Sequence, residues 1–265
     1  MSSPLPPEIL DHIVDHLHDE PVALKACCVT SKSWIHRTRV HLFACVEFSA
    51  LKPYIELWQQ AFPDPSNSPA RYTRHLSIHG LPLVTTADAD AGDWIRAFYN
   101  VVHLHLGGLS MDHNVSLIPF HGLSPTLRSL SLSDISSGIL DLICSFPLLE
   151  DLELNSLGLK TDAWNTPSSS PKLTGSLDLR GTRVTRPVVR RLLDLPDGLH
   201  FTKIMIPCYD EDVESTMGLV SRCSATLEYL DVSYYSLGAF PLVSTNDQRL
   251  TTSTCGCRRV REASA

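Results

Sequence analysis

The sequence predicts an α/β protein in which a small N-terminal helical module precedes a solenoid of parallel strands joined by return helices or loops. Three observations carry this expectation. An apolar-x-apolar pair recurs seven times at a nearly constant interval. Several segments between the pairs hold apolar residues at helical spacing. The first part of the chain shows helical periodicity instead of the pair pattern. With 265 residues, 43% of them hydrophobic and 19% charged, the chain is long and apolar enough for a packed core.

In chain order, Pro6 and Pro7 precede a pattern in which Ile9, Leu10, Ile13, Val14 and Leu17 recur at spacings of three and four. Pro7 suits a first helical turn, where its missing N–H costs nothing. Asp19-Glu20-Pro21 is expected to end this helix. A second helix follows with Leu24, Cys27 and Cys28 inward, and a third begins near Ser31 with Trp34 and Ile35. The module is assigned residues 1–48. Residues 49–70 read as a linker: a helix carrying Leu51, Tyr54, Ile55, Trp58 and Phe62, then the turn-rich PDPSNSPA.

The repeat occupies residues 71–238. Its pairs are Leu76/Ile78, Leu104/Leu106, Leu130/Leu132, Leu152/Leu154, Leu177/Leu179, Ile204/Ile206 and Leu230/Val232, with steps of 28, 26, 22, 25, 27 and 26 residues. Each pair is a short strand with both apolar side chains on one face, which a single strand cannot bury alone; stacking repeats builds a parallel sheet and a continuous core. Return helices are expected around Trp94, Ile95 and Phe98; Ile139, Leu140, Ile143 and Cys144; Val188, Val189, Leu192 and Leu193, opened by Thr185 and Pro187; and Met217, Leu219, Val220 and Cys223. Residues 161–171 read as a loop. Residues 239–265 are polar and aperiodic and read as a flexible tail, so the pattern stops without a C-terminal cap.

The L-x-x-L-x-L spacing of LRSLSLSDI, LEDLELNSL and LEYLDVSYY resembles leucine-rich repeats. The family's turn Asn or Cys is replaced here by Leu81, Leu109, Ile135, Leu157, Thr182, Tyr209 and Tyr235. That predicts an irregular leucine-rich-repeat solenoid without the family's side-chain ladder. Residues 4–48 resemble an F-box in the order Leu5-Pro6-x-Glu8-Ile9-Leu10, then Ile13, Leu17, Leu24, Val29, Lys32 and Trp34. The form is similar to the F-box-like proteins of mushroom-forming fungi. The resemblance implies a non-catalytic substrate receptor of a ubiquitin ligase, docking on a Skp-type adaptor and through it on a cullin–RING ligase, with an unknown protein substrate on the repeats. It implies that Leu5, Pro6, Ile9, Leu10, Ile13, Leu17, Leu24, Val29 and Trp34 make or support the adaptor contact. An interaction scaffold without ligase assembly is the alternative.

A formal net charge of -7 argues against a generic nucleic-acid partner. No run of about 18 apolar residues suggests a membrane span, and MSSPLPPEIL does not read as a signal peptide. A cytoplasmic or nuclear location follows as the expectation; the eight cysteines are no disulfide framework, most read as small buried hydrophobes, and Cys255 with Cys257 in the tail reads as a free thiol pair. His12 and His16 are spaced i, i+4 but lack the Glu of a zinc-protease helix, and they read as a solvated face. Nucleophile-elbow, Walker and dinucleotide motifs are absent, so neither catalytic residues nor a metal or other cofactor is expected.

In a strand x-apolar-x-apolar-x, the three x positions point away from the core; in leucine-rich repeats that side is the concave, partner-facing surface. Here it would carry His75, Ser77, His79, His103 and His105 near the helical module, and Asp151, Glu153, Asp178 and Asp231 farther along, with Asn155 and Arg180 beside them. The substrate contact is therefore assigned to His75, His103, His105, Asp151, Glu153, Asp178 and Asp231. The acidic stripe favours a basic partner segment.

Overall fold

The computed structural model describes residues 6–49, 54–80, 93–108, 120, 123, 125–135, 139–155, 171–182, 185–195 and 198–235. The helical module forms first: α1 (Pro7–Asp15), α2 (Pro21–Thr30) and α3 (Ile35–Leu42), the last preceded by a single 3-10 turn capped by the Ser31 side chain. Pro7 and Pro21 each open a helix, where fixed φ and no N–H are harmless. α3 packs against both α1 and α2, burying Val14, Leu24 and Cys27. Thr38, fully buried, satisfies its hydroxyl by donating to the Trp34 carbonyl at 2.7 Å, and it lies 2.8 Å from Cys28 Sγ. Asp15, at the end of α1, accepts two bonds of 2.5 Å from the Arg37 guanidinium and lies 2.7 Å from His41 Nε2, which fastens α1 to α3.

Among the described residues, eight strands follow in one sheet: β1 (Cys45–Ser49), β2 (His75–His79), β3 (His103–Gly107), β4 (Ser129–Ser133), β5 (Asp151–Asn155), β6 (Ser176–Asp178), β7 (Lys203–Tyr209) and β8 (Tyr229–Tyr235). All pair in parallel and in sequence order, β1 through β8. A doubly wound sheet reverses its strand order at a switch point; this one never does, an order compatible with a solenoid. The return segments include α4 (Tyr54–Ala61), α5 (Asp93–Arg96), α6 (Ile139–Cys144), α7 (Thr185–Leu193) and α8 (Val213–Arg222). Leu142, Ile143, Val188, Val189, Leu192 and Leu219 join the strand pairs in one apolar core.

The repeat is visible in the backbone as well as in the side chains. At the starts of β2, β3 and β4, two consecutive N–H groups donate to one carbonyl of the preceding repeat: Arg74 and His75 to Ala44, Val102 and His103 to Arg74, Arg128 and Ser129 to Val102. The same step recurs at Glu150 and Asp151 and at Glu228 and Tyr229. Thr126 and Thr226 each add a hydroxyl bond to the preceding repeat, at Val101 and Phe201. At the strand ends, Gly80, Gly108 and Asp134 hold equivalent left-handed positions (φ 64°, 60° and 54°) and donate to Gly107, Ser133 and Asn155 of the next strand.

Three expectations are corrected. Residues 45–48 belong to the sheet and not to the helical module: Val46 and Phe48 pair in register with Leu76 and Ile78, an eighth apolar pair ahead of the seven in the repeat. Residues 49–70 are more than a linker, because Trp58 of α4 packs on Phe43, Phe48 and Phe98 at centroid distances of 5.9, 5.7 and 5.5 Å. α4 is the return segment between β1 and β2. Among the described residues, the ladder expected to be absent survives at Thr182, whose buried hydroxyl donates to the Leu154 carbonyl of the preceding repeat. The expected loop at 161–171, apart from Pro171, and the tail at 239–265 lie outside the described residues.

Candidate functional surfaces

The nine residues assigned to the adaptor contact separate by burial. Leu5 lies outside the described residues, and Pro6 is exposed. Ile9 and Ile13 are 48% and 41% exposed, and Val29 is 88% exposed. Leu10, Leu17 and Trp34 are half-buried, whereas Leu24 is only 1% exposed and serves the module's own core. Val22, 80% exposed, was not singled out in the sequence. Ile9 and Ile13, one helical turn apart, form a ridge on α1; Val22 and Val29, two turns apart, form one on α2. Large aliphatic side chains left in water this way on a small module mark a surface suited to association.

The second surface is the sheet face opposite the apolar core. The strand alternation places His75, His103, His105, Asp151 and Glu153 there, as the burial pattern of β2 through β5 shows, and Asp178 and Asp231 share that face by register. Register aligns the middle row as Glu47, Ser77, His105, Ser131, Glu153 and Asp178, continued by Met205 and Asp231. His75 and His103 are direct neighbours with stacked rings, 4.3 Å apart and 6° from parallel. His79 and His105 are diagonal neighbours with centroids 4.8 Å apart. Burial lowers the His105 imidazole pKa, with the charge of His79 next in effect; burial and then His103 do the same for His75. Both rings are thereby biased toward the neutral form.

The acidic stripe is less uniform than its sequence suggests. Asp151 accepts from the Ser176 N–H at 2.9 Å and from its hydroxyl at 2.6 Å. Asp178 is held by Arg180 through its N–H at 3.0 Å and Nη2 at 2.7 Å. Burial works to raise the Asp178 pKa, but the Arg180 bonds outweigh it and the carboxyl titrates below its ordinary value. Glu153 is exposed and bonds only to the neutral Asn155 amide at 2.8 Å among the described contacts, so no cation is shown against it. Met205 interrupts the row before Asp231, and Lys203 extends over the Tyr229 ring, 5.3 Å from its centroid.

Among the described residues, no three His, Cys, Asp or Glu side chains group to hold a metal ion, and no helix is long and apolar enough to cross a membrane. No family model, curated protein or solved structure shows significant similarity to the chain.

Proposed function

We propose that the chain is the substrate-recognition subunit of an SCF-type ubiquitin ligase, in which an F-box captures a Skp-type adaptor and leucine-rich repeats present substrate to the cullin-bound machinery. The carrying observation is the pair of exposed aliphatic ridges on the helical module, Ile9 with Ile13 and Val22 with Val29, at or beside positions where the sequence resembles the adaptor-binding face of an F-box. The sequential parallel sheet supports the other half of the reading, since its polar face offers a long row of side chains for a partner. Such a protein needs no chemistry of its own; it raises the effective concentration of substrate near the conjugating enzyme.

The test is co-purification of a Skp-type adaptor with the full chain and with the double variant Ile9→Asp, Ile13→Asp. Both residues face solvent, so the fold is expected to survive, as far-UV circular dichroism will report. Buried apolar anchors of an interface each contribute about 2 kcal/mol or more, so adaptor affinity is expected to fall by at least about thirtyfold. Equal capture by the variant overturns the interface. No capture by the unaltered chain leaves the interaction-scaffold reading in its place.

A further inference from the structure

We propose that His12 and His16, one turn apart on the solvent side of α1, chelate a single divalent transition-metal ion of the class that imidazole favours, Zn²⁺, Cu²⁺ or Ni²⁺. The observation is a convergence of nitrogens. His12 Nε2 and His16 Nε2 lie 3.2 Å apart, and both side chains are exposed. An ion bonded to two imidazoles at roughly 2.0–2.1 Å holds their nitrogens about 2.9 Å apart at a right angle and about 3.4 Å apart at the tetrahedral angle. The separation in α1 falls inside that interval. The rings are also suitably inclined. Their planes meet at 68°, so one point can lie in both planes, as the in-plane lone pairs require. The stacked pair on the sheet face is the opposite case. His75 and His103 are 6° from parallel, so an ion in the plane of one ring lies out of the plane of the other.

The backbone sets the spacing. Residues four apart in a helix sit one above the other on one face. His12 lies in the last turn of α1 and His16 at its C-cap. Val14 turns into the module's core, which leaves the two rings outside. The carbonyl end of a helix carries partial negative charge and favours a cation there, and Glu8, one turn before His12, adds charge of the same sign.

Without an ion, one Nε2–H donates to the lone pair of the other Nε2. With an ion, the donating ring carries its proton on Nδ1 instead, by exchange with water, and both Nε2 lone pairs go to the metal. No proton is lost in that exchange, and water fills the remaining positions. Among the described residues no third His, Cys, Asp or Glu joins the pair, so the site is open and differs from the closed four-ligand sites that hold structural zinc. The i, i+4 spacing is readable in the sequence; the convergence of the ring nitrogens is what the fold adds. Nothing in this inference depends on adaptor docking or on the sheet face.

The test is footprinting of the purified full chain with diethyl pyrocarbonate, which acylates free imidazole nitrogens, read residue by residue by mass spectrometry across a Zn²⁺ titration. His12 and His16 are expected to lose reactivity together, with one midpoint. His36, exposed on α3 and bonded to the Tyr72 hydroxyl, is expected to keep its reactivity. Mg²⁺, which takes oxygen ligands, is expected to protect neither ring of the pair. His12→Gln removes one ligand of two from an exposed position. Loss of a partner outside the ligand set already costs about 10–100-fold in metal affinity, so protection of His16 in this variant is expected to need at least about tenfold more Zn²⁺. Unchanged reactivity of both rings in excess Zn²⁺, separate midpoints for the two, or an unmoved His16 midpoint in His12→Gln overturns the proposal. The titration of the unaltered chain needs no variant, so the first two outcomes decide the matter whatever the fold of His12→Gln.

Discussion

Asp15 shows how one residue ties a helix to its neighbour and makes that tie sensitive to acid. Its carboxylate takes both prongs of the Arg37 guanidinium and lies against His41 Nε2. The Arg37 bonds, and next those of His41, hold the Asp15 pKa well below the ordinary carboxylate range, against a smaller opposing effect of burial. A carboxyl with a depressed folded-state pKa stabilises the fold above its unfolded value, near 3.9, and loses that contribution as pH falls through the range below it. Both partners are about a third exposed, so solvent screening limits the gain to about 1 kcal/mol. Asp15→Asn is therefore expected to unfold at lower temperature than the unaltered chain at pH 7, by a few degrees. The difference is expected to narrow as the pH is taken below about 4. Thermal melts followed at 222 nm across that range will show it, and a pH-independent difference would detach the effect from this ion cluster.

At the scale of elements, the strands were the legible part. Two apolar residues separated by one polar residue can bury only one face, and seven such pairs near a constant period leave little choice but stacking. The eighth, Val46 and Phe48, was hidden because it lies 30 residues from the next pair and directly follows a helical pattern that absorbed it. The face of α1 was illegible for another reason. Ile9, Leu10, Ile13 and Val14 wrap so much of the helix that periodicity alone cannot say which side meets α3; tertiary packing chose Val14 and left Ile9 and Ile13 in water. The rungs between repeats fall between these cases. Thr182 occupies a turn position where the repeat pattern expects Asn or Cys, yet its buried hydroxyl still reaches the Leu154 carbonyl. Thr182→Val keeps the shape and removes the donor, leaving a buried carbonyl without that bond. The expected cost is about 1–3 kcal/mol, read as a lower urea midpoint with an unchanged slope. A stability within error of the unaltered chain would mean that water replaces the rung.

At the scale of the whole molecule, a sheet built in sequence order draws its stability from each repeat and its immediate neighbours, so removing the unit at which the stack begins uncovers the next one. The stack begins at β1 and α4. Ala44 accepts the first pair of backbone bonds from Arg74 and His75. Phe48 and Trp58 cover Phe98 at 6.0 and 5.5 Å between ring centroids. A fragment of residues 71–265 would lose all of this. The β2 edge, His75–His79, would present the backbone groups now paired with Cys45–Ser49, and Leu76, Ile78 and Phe98 would lose part of their apolar cover. An exposed apolar edge strand is a template for intermolecular pairing. A fragment of residues 44–265 keeps the first strand and its return helix and gives up only the helical module. In size-exclusion chromatography the longer fragment is expected to elute as a monomer and the shorter one as aggregate or larger assemblies. If both elute as monomers with the same melting temperature, β1 and α4 are not part of the cooperative sheet, and the helical module and repeats are joined by a dispensable connection instead.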